Sequence, residues 1–131
     1  VTDTDGLPEV VRLPLGLVGL PTARRFRVRR TEPDLYDLES LDEPGLGFVA
    51  VTPTPYFPAY SPIIDPETAD HLRVRSPEEL LVLLLVNLGT DREPPGANLL
   101  APLLVNRRSG EGMQVVLIDQ ELPLRATFPR P

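Results

Sequence analysis

A chain of 131 residues, 41% of them hydrophobic, is long enough to bury a core of its own and too short for two domains of ordinary size. The absence of cysteine excludes disulfide frameworks, thiol nucleophiles, zinc-cysteine sites and iron–sulfur clusters, and 17 prolines argue against a fold of long helices. The formal charge of −6, from 19 acidic against 13 basic residues that are all arginine, repels nucleic acid and favours a basic partner.

The chain opens Val1-Thr2-Asp3-Thr4-Asp5, acidic where a secretory signal needs a basic start and an apolar run. Without an initiator methionine, we expect a chain trimmed at its N-terminus. Residues 9–13 read as a short strand, followed by a turn-rich connection through Pro14, Gly16, Gly19 and Pro21. In residues 24–30, five of seven positions are arginine, and Arg25, Arg27 and Arg29 alternate with Phe26 and Val28. That is the period of a strand with one buried and one solvated face. Glu32, Asp34, Asp37, Glu39, Asp42 and Glu43 follow with no basic residue among residues 32–43, so we expect the arginines to pair with these acids across a sheet.

Residues 35–40 alternate loosely, Asp42-Glu43-Pro44-Gly45 has strong turn chemistry, and residues 47–52 read as the returning strand. Residues 53–62 hold four prolines and three aromatics, a rigid loop in which Tyr56, Phe57 and Tyr60 are expected to pack down. Asp65 and Pro66 mark a helix start, with the helix running to about Leu72. Ser76-Pro77-Glu78-Glu79 repeats the signal, with Glu79 placed to complete a capping box. Residues 80–88 are apolar except Asn87, and periodicity cannot separate a buried helix from a central strand. Leucine favours helix; the all-β neighbourhood and the family resemblance given below favour one helical turn feeding a central strand. The run from Leu80 to Val86 spans seven residues, against about 20 for a membrane helix. We therefore expect a soluble protein without membrane contact.

After a charged, proline-rich loop, residues 97–117 read as a hairpin. An apolar run containing Pro102 ends at Asn106, a polar tip occupies residues 107–112, and a β-branched run fills residues 113–118. On a continuous strand Leu99, Leu103 and Val105 share one face and Leu100, Pro102 and Leu104 the other, with Pro102 at an edge or bulge. Asn98 and Asn106 read as turn or backbone-capping residues, with partner contact as the alternative. Residues 119–131 carry no assignment. The expected fold is mostly β, one small antiparallel β-barrel-like domain over residues 1–131 with one or two short helical turns.

The chemical inventory is thin. His71 is the only histidine, and a hydrolase built around it lacks an assignable nucleophile. Asp65, Glu67, Asp70 and His71 fit the solvated face of a short helix better than a metal cluster. Neither glycine pair, at 45 and 47 or at 110 and 112, has the strand, spacing and helix of a phosphate loop. No catalytic, cofactor-binding or metal-binding residue is assigned, and we expect no enzyme. Arg24, Arg25, Arg27, Arg29 and Arg30 raise an RNA-binding alternative, weakened because Phe26 falls on the opposite face from the arginines it would need to assist.

Several blocks occur in the order of one family. Gly16-Leu17-Val18-Gly19-Leu20 precedes Arg24-Arg25-Phe26; Leu38-Glu39-Ser40-Leu41 leads to an acidic turn and Gly47-Phe48-Val49-Ala50-Val51; Tyr56-Phe57-Pro58-Ala59-Tyr60, Ser76-Pro77-Glu78-Glu79-Leu80 and Ala97-Asn98-Leu99-Leu100-Ala101-Pro102 follow. From Val10 to Leu117 the chain resembles the FliW family of flagellar assembly factors. Val18 replaces a usual proline, Leu20 an aromatic, Glu39 a glutamine and Ala59 an acid.

The resemblance implies a cytoplasmic, non-enzymatic protein that binds flagellin and, in alternation, the RNA-binding translational regulator CsrA, relieving repression of flagellin translation. An acidic partner gains on-rate and orientation from the positive surface such a regulator must present. We expect no cofactor, no direct nucleic acid contact and a monomer. Partner binding is assigned to Asp37, Glu39, Asp42 and Glu43 and to Tyr56, Phe57 and Tyr60, with Asn98 and Asn106 as further candidates. The tip at residues 107–112 is expected to be the only part of the hairpin free to bind. Charge reversal at Asp42 and Glu43 is expected to leave the fold intact, and Leu103→Asp to abolish it.

Overall fold

The computed structural model describes residues 8–129, so the acidic opening at residues 1–5 lies outside the described residues. Strands β1 (Val10–Arg12), β2 (Arg25–Glu32), β3 (Leu35–Ser40) and β4 (Gly47–Val51) form an antiparallel meander. The turn before β2 depends on Gly16 at φ 71°, where a Cβ would lie 2.5 Å from the Pro21 carbonyl oxygen.

Helix α1 (Pro66–Leu72) starts as its sequence predicts: the Thr68 amide donates to the Asp65 carboxylate at 2.8 Å, and proline fills the first position. A single 3-10 turn, Pro77–Glu79, then feeds β5 (Leu80–Asn87). The capping box does not form as expected. Its serine half is missing, since Ser76 makes no side-chain cap bond, while Glu79 turns back to the backbone before the turn and accepts the Arg75 amide at 2.8 Å.

The leucine-rich run is a strand because both its edges find partners. One edge pairs with β4 through Leu84, Leu85 and Val86. The other is shared between β7 (Leu103–Asn106), which pairs with Leu80 to Leu83, and β6 (Gly96–Ala97), which pairs with Val86 and Asn87. β8 (Gly112–Gln114) returns along β7, and β9 (Ala126–Thr127) adds to β6. The unassigned tail thus supplies a strand.

The hairpin differs from its expected form. Residues 98–102 leave the ladder between β6 and β7, because the Asn98 side chain accepts the Ala101 amide at 2.9 Å and turns the chain. Leu99, Leu100 and Pro102 therefore belong to no strand face. β8 ends at Gln114, not Ile118. The Val115 and Leu117 amides keep the register by donating to the Pro102 and Leu100 carbonyls at 3.1 and 2.8 Å, but Pro102 has no amide to return.

One side of the tip is engaged by β1, while Arg108 and Ser109 stay exposed. The Arg12 amide donates to the Gly110 carbonyl at 2.8 Å, and Arg12 bridges Glu111 in parallel. Gly110 sits at φ 78°, where a Cβ would approach the Val10 carbonyl oxygen to 2.8 Å. The tip is the seam where β1, the first strand, meets the last hairpin, and it brings the sheet close to a complete barrel. Edge groups that would otherwise stay unpaired are satisfied there.

Two apolar clusters result. Inside lie Val11, Leu13, Phe26, Val28, Tyr36, Leu38, Ala50, Leu81, Leu83, Leu103 and Val105. Each fully buried leucine among them contributes about 1.5–3 kcal/mol. Outside the sheet, Val51, Leu84, Ala97 and Leu99 are covered by the proline-rich loop and the tail through Tyr56, Phe57, Tyr60, Leu122 and Phe128.

Candidate functional site

Strand alternation sends Phe26 and Val28 of β2, and Tyr36 and Leu38 of β3, into the barrel. The register then sets Arg27 opposite Glu39 and Arg29 opposite Asp37 on the outer face. That face continues from Asp37 to Val49 and Val86, and from Leu35 to Val51 and Leu84. Loop and tail cover its far end. The near end is open, a hollow of about 1060 Å³ whose lining includes Arg27, Arg29, Asp37, Glu39, Gly47, Val49, Val86 and Leu88. Leu88 is 68% exposed at its rim.

Two of the sequence-predicted residues, Asp37 and Glu39, meet in this hollow. The expected cross-strand pairing is only partly realised. Arg25 pairs with Asp42 at 3.0 Å, whereas Arg27 with Glu39 and Arg29 with Asp37 face each other without closing an ion pair among the described residues. Their charges remain directed at whatever occupies the hollow. Val49, Val86 and Leu88, which sequence reading passed over, supply an apolar stripe beside them. The alternation of β4 carries that signal for Val49.

Asp42 and Glu43 serve the fold. Asp42 accepts the Arg24 and Arg25 amides at 3.0 and 2.8 Å and the Arg25 guanidinium at 3.0 and 3.1 Å. The Arg24 amide, with the Arg25 contacts, holds its carboxyl below the usual range. Glu43 accepts the Thr22 hydroxyl at 3.0 Å, and the buried Ser40 hydroxyl accepts the Asp42 and Glu43 amides at 3.2 and 2.9 Å. Charge reversal at Asp42 would remove four bonds to its carboxylate, and at Glu43 one, so these two acids are tied to the β3–β4 turn as well as carrying surface charge.

The aromatic loop is packed down. Tyr56 and Phe57 meet Phe128 with ring centroids 5.2 and 5.5 Å apart. The Tyr60 hydroxyl donates to the Leu99 carbonyl at 2.7 Å, and burial pushes its pKa up to about 12. Both asparagines cap backbone. Asn106, 5% exposed, donates to the Leu72 carbonyl at 2.8 Å and accepts the Arg108 and Ser109 amides at 2.8 and 3.3 Å, joining the end of α1 to the hairpin.

His71 is exposed on the last turn of α1. Among the described residues, no group of three side chains is arranged to hold a metal ion, and no helix is long and apolar enough to cross a membrane.

A family model described as FliW protein matches residues 4–128. The chain is 34% identical over 123 residues to the flagellar assembly factor FliW of Symbiobacterium thermophilum, covering 91% of this chain and 88% of that one. It is 32% identical over 117 residues to the flagellar assembly factor FliW of Treponema pallidum, covering 88% and 78%. The namesake of Clostridioides difficile is 28% identical over 113 residues, covering 85% and 87%. A crystal structure of the flagellar assembly factor FliW superposes with a TM-score of 0.85 at 27% identity, covering 93% of this chain and 87% of that chain. A family match along nearly the whole described chain and a shared barrel agree: the chain belongs to the FliW family.

Proposed function

We propose that this protein is a non-enzymatic, cytoplasmic flagellar assembly factor, working as a monomer. It binds flagellin and a CsrA-type RNA-binding regulator in alternation, and so antagonises repression of flagellin translation. The family match over residues 4–128 is the observation that carries this reading. The outer hollow supports it physically. Asp37 and Glu39 offer carboxylates that close no ion pair among the described residues, beside Val49, Val86 and Leu88, which suits a partner with basic and apolar side chains on one surface. Flagellin engages apolar surface through a helical segment.

The test is a pull-down of the purified chain against a CsrA-type regulator and flagellin, separately and in competition. Each should bind alone and flagellin should displace the regulator. Asp37→Lys with Glu39→Lys should weaken the regulator complex while circular dichroism stays unchanged. Binding of neither protein overturns the reading, and a salt-sensitive complex with bare RNA in their place would favour the arginine strand instead.

A further inference from the structure

Where the end of α1 meets the tip of the β7–β8 hairpin lies a second hollow of about 580 Å³, lined by Arg73, Arg75, Arg108, Asn106 and Ser109. Three arginines line it in a chain of net charge −6. Only one guanidinium has an acidic counterpart. The Arg108 guanidinium meets Glu79 at 3.1 Å, whereas among the described residues the exposed Arg73 and Arg75 guanidinium groups form no ion pair, Arg75 meeting Glu79 through its backbone amide alone. Arg73 also stands at φ 58°, the one non-glycine among the described residues in the left-handed region, at a helix end where glycine is the default. The chain keeps a guanidinium where the backbone favours no side chain.

The donors left at this hollow define its ligand. The Arg73 amide is taken by the Ala69 and Asp70 carbonyls, the Arg75 amide by the Glu79 carboxylate, and the Arg108 and Ser109 amides by Asn106. The Arg107 and Gly110 amides are likewise spent on the Glu79 and Asn106 carbonyls. No cradle of backbone N–H groups remains for a free phosphate. No aromatic side chain lines the hollow, so a nucleobase has nothing to stack on. What remains are long guanidinium forks, which match side-chain carboxylates in pairs of parallel bonds.

We propose that this hollow docks an acidic segment of a protein partner, with carboxylates seated on Arg73 and Arg75. The inference rests on different residues from the reading above and stands or falls separately. The probe is a short synthetic peptide of alternating Glu and Ser, titrated into the full chain while the arginine Nε–H resonances are followed by NMR. Arg73 and Arg75 should shift saturably, a Gln-Ser peptide should leave them unmoved, and added salt should reverse the effect. Arg73→Gly and Arg75→Gln should each weaken binding about two- to fivefold. Arg73→Gly also relieves the left-handed backbone, so its melting temperature should match or exceed that of the parent. Shifts that do not saturate, or that fall equally on Arg27 and Arg29, overturn the proposal. So does inorganic phosphate or a single-stranded oligoribonucleotide that moves Arg73 and Arg75 at lower concentration than the peptide.

Discussion

Asp42 holds Arg25 by both its backbone and its side chain: one carboxylate oxygen accepts the Arg25 amide at 2.8 Å and the other accepts the guanidinium at 3.0 and 3.1 Å. The β3–β4 turn is thereby tied to the first residue of β2. Asp42→Ala should lower the urea midpoint without changing the m-value, and by more than Glu43→Ala, which loses one hydroxyl contact. Because the Asp42 carboxyl titrates below its ordinary value of 3.8, its contribution is complete above that pH and disappears as pH falls through the lowered value. Glu79 behaves alike, held down first by the Arg75 amide and then by Arg108. Urea midpoints measured from neutral pH downward should fall less steeply in Asp42→Asn than in the parent.

Gly110 and Gly45 separate closure of the barrel from simple backbone strain. Both have positive φ, 78° and 87°, but a Cβ at Gly45 meets open space whereas one at Gly110 meets the Val10 carbonyl oxygen at 2.8 Å. Gly45→Ala should cost about 1–2 kcal/mol. Gly110→Ala should cost more and should speed hydrogen exchange at the Arg12 amide, which donates to the Gly110 carbonyl. Equal losses at the two sites would show that the tip does not seal the barrel.

Leu103 is 1% exposed inside the barrel. Leu103→Ala should cost about 2–5 kcal/mol by denaturant titration. Leu103→Asp should yield no cooperative transition at all, since a buried carboxylate there has no partner. A folded far-ultraviolet spectrum with normal cooperativity for the aspartate variant would contradict the assignment of this strand to the core.

Tyr60 joins the proline-rich loop to the excursion at residues 98–102 through its bond to the Leu99 carbonyl. Tyr60→Phe should cost about 1 kcal/mol near neutral pH. Its pKa rises from 10.0 to about 12 in the folded chain, so the unfolded state loses this proton first as pH climbs. Stability should therefore decline between those two values in the parent, and Tyr60→Phe should lack that part of the alkaline decline.

Local chemistry was legible where it acts over a few residues. Asp65 and Pro66 announce α1, the alternation of arginine with Phe26 and Val28 announces β2, and Asp42 to Gly45 announce a turn. The candidate site was only half legible. Asp37 and Glu39 were visible as acids, but their meeting with Val49, Val86 and Leu88 depends on the register between β3, β4 and β5. Asp42 looked like a free surface charge because its partners lie 17 and 18 residues away.

The amino-acid chain alone was enough for a β-rich class without cysteine chemistry, for the place of each meander strand, for the short capped helix and for the family resemblance. These follow from composition, period-two alternation and capping residues, all of which operate within a few positions along the chain. Long-range packing was needed to show that the hairpin tip meets β1, that Phe128 in the tail packs on the aromatic loop, and that Arg73, Arg75 and Arg108 line one hollow. Each of these joins segments far apart in sequence, and such contacts are set by shape and by the need to satisfy backbone and buried groups.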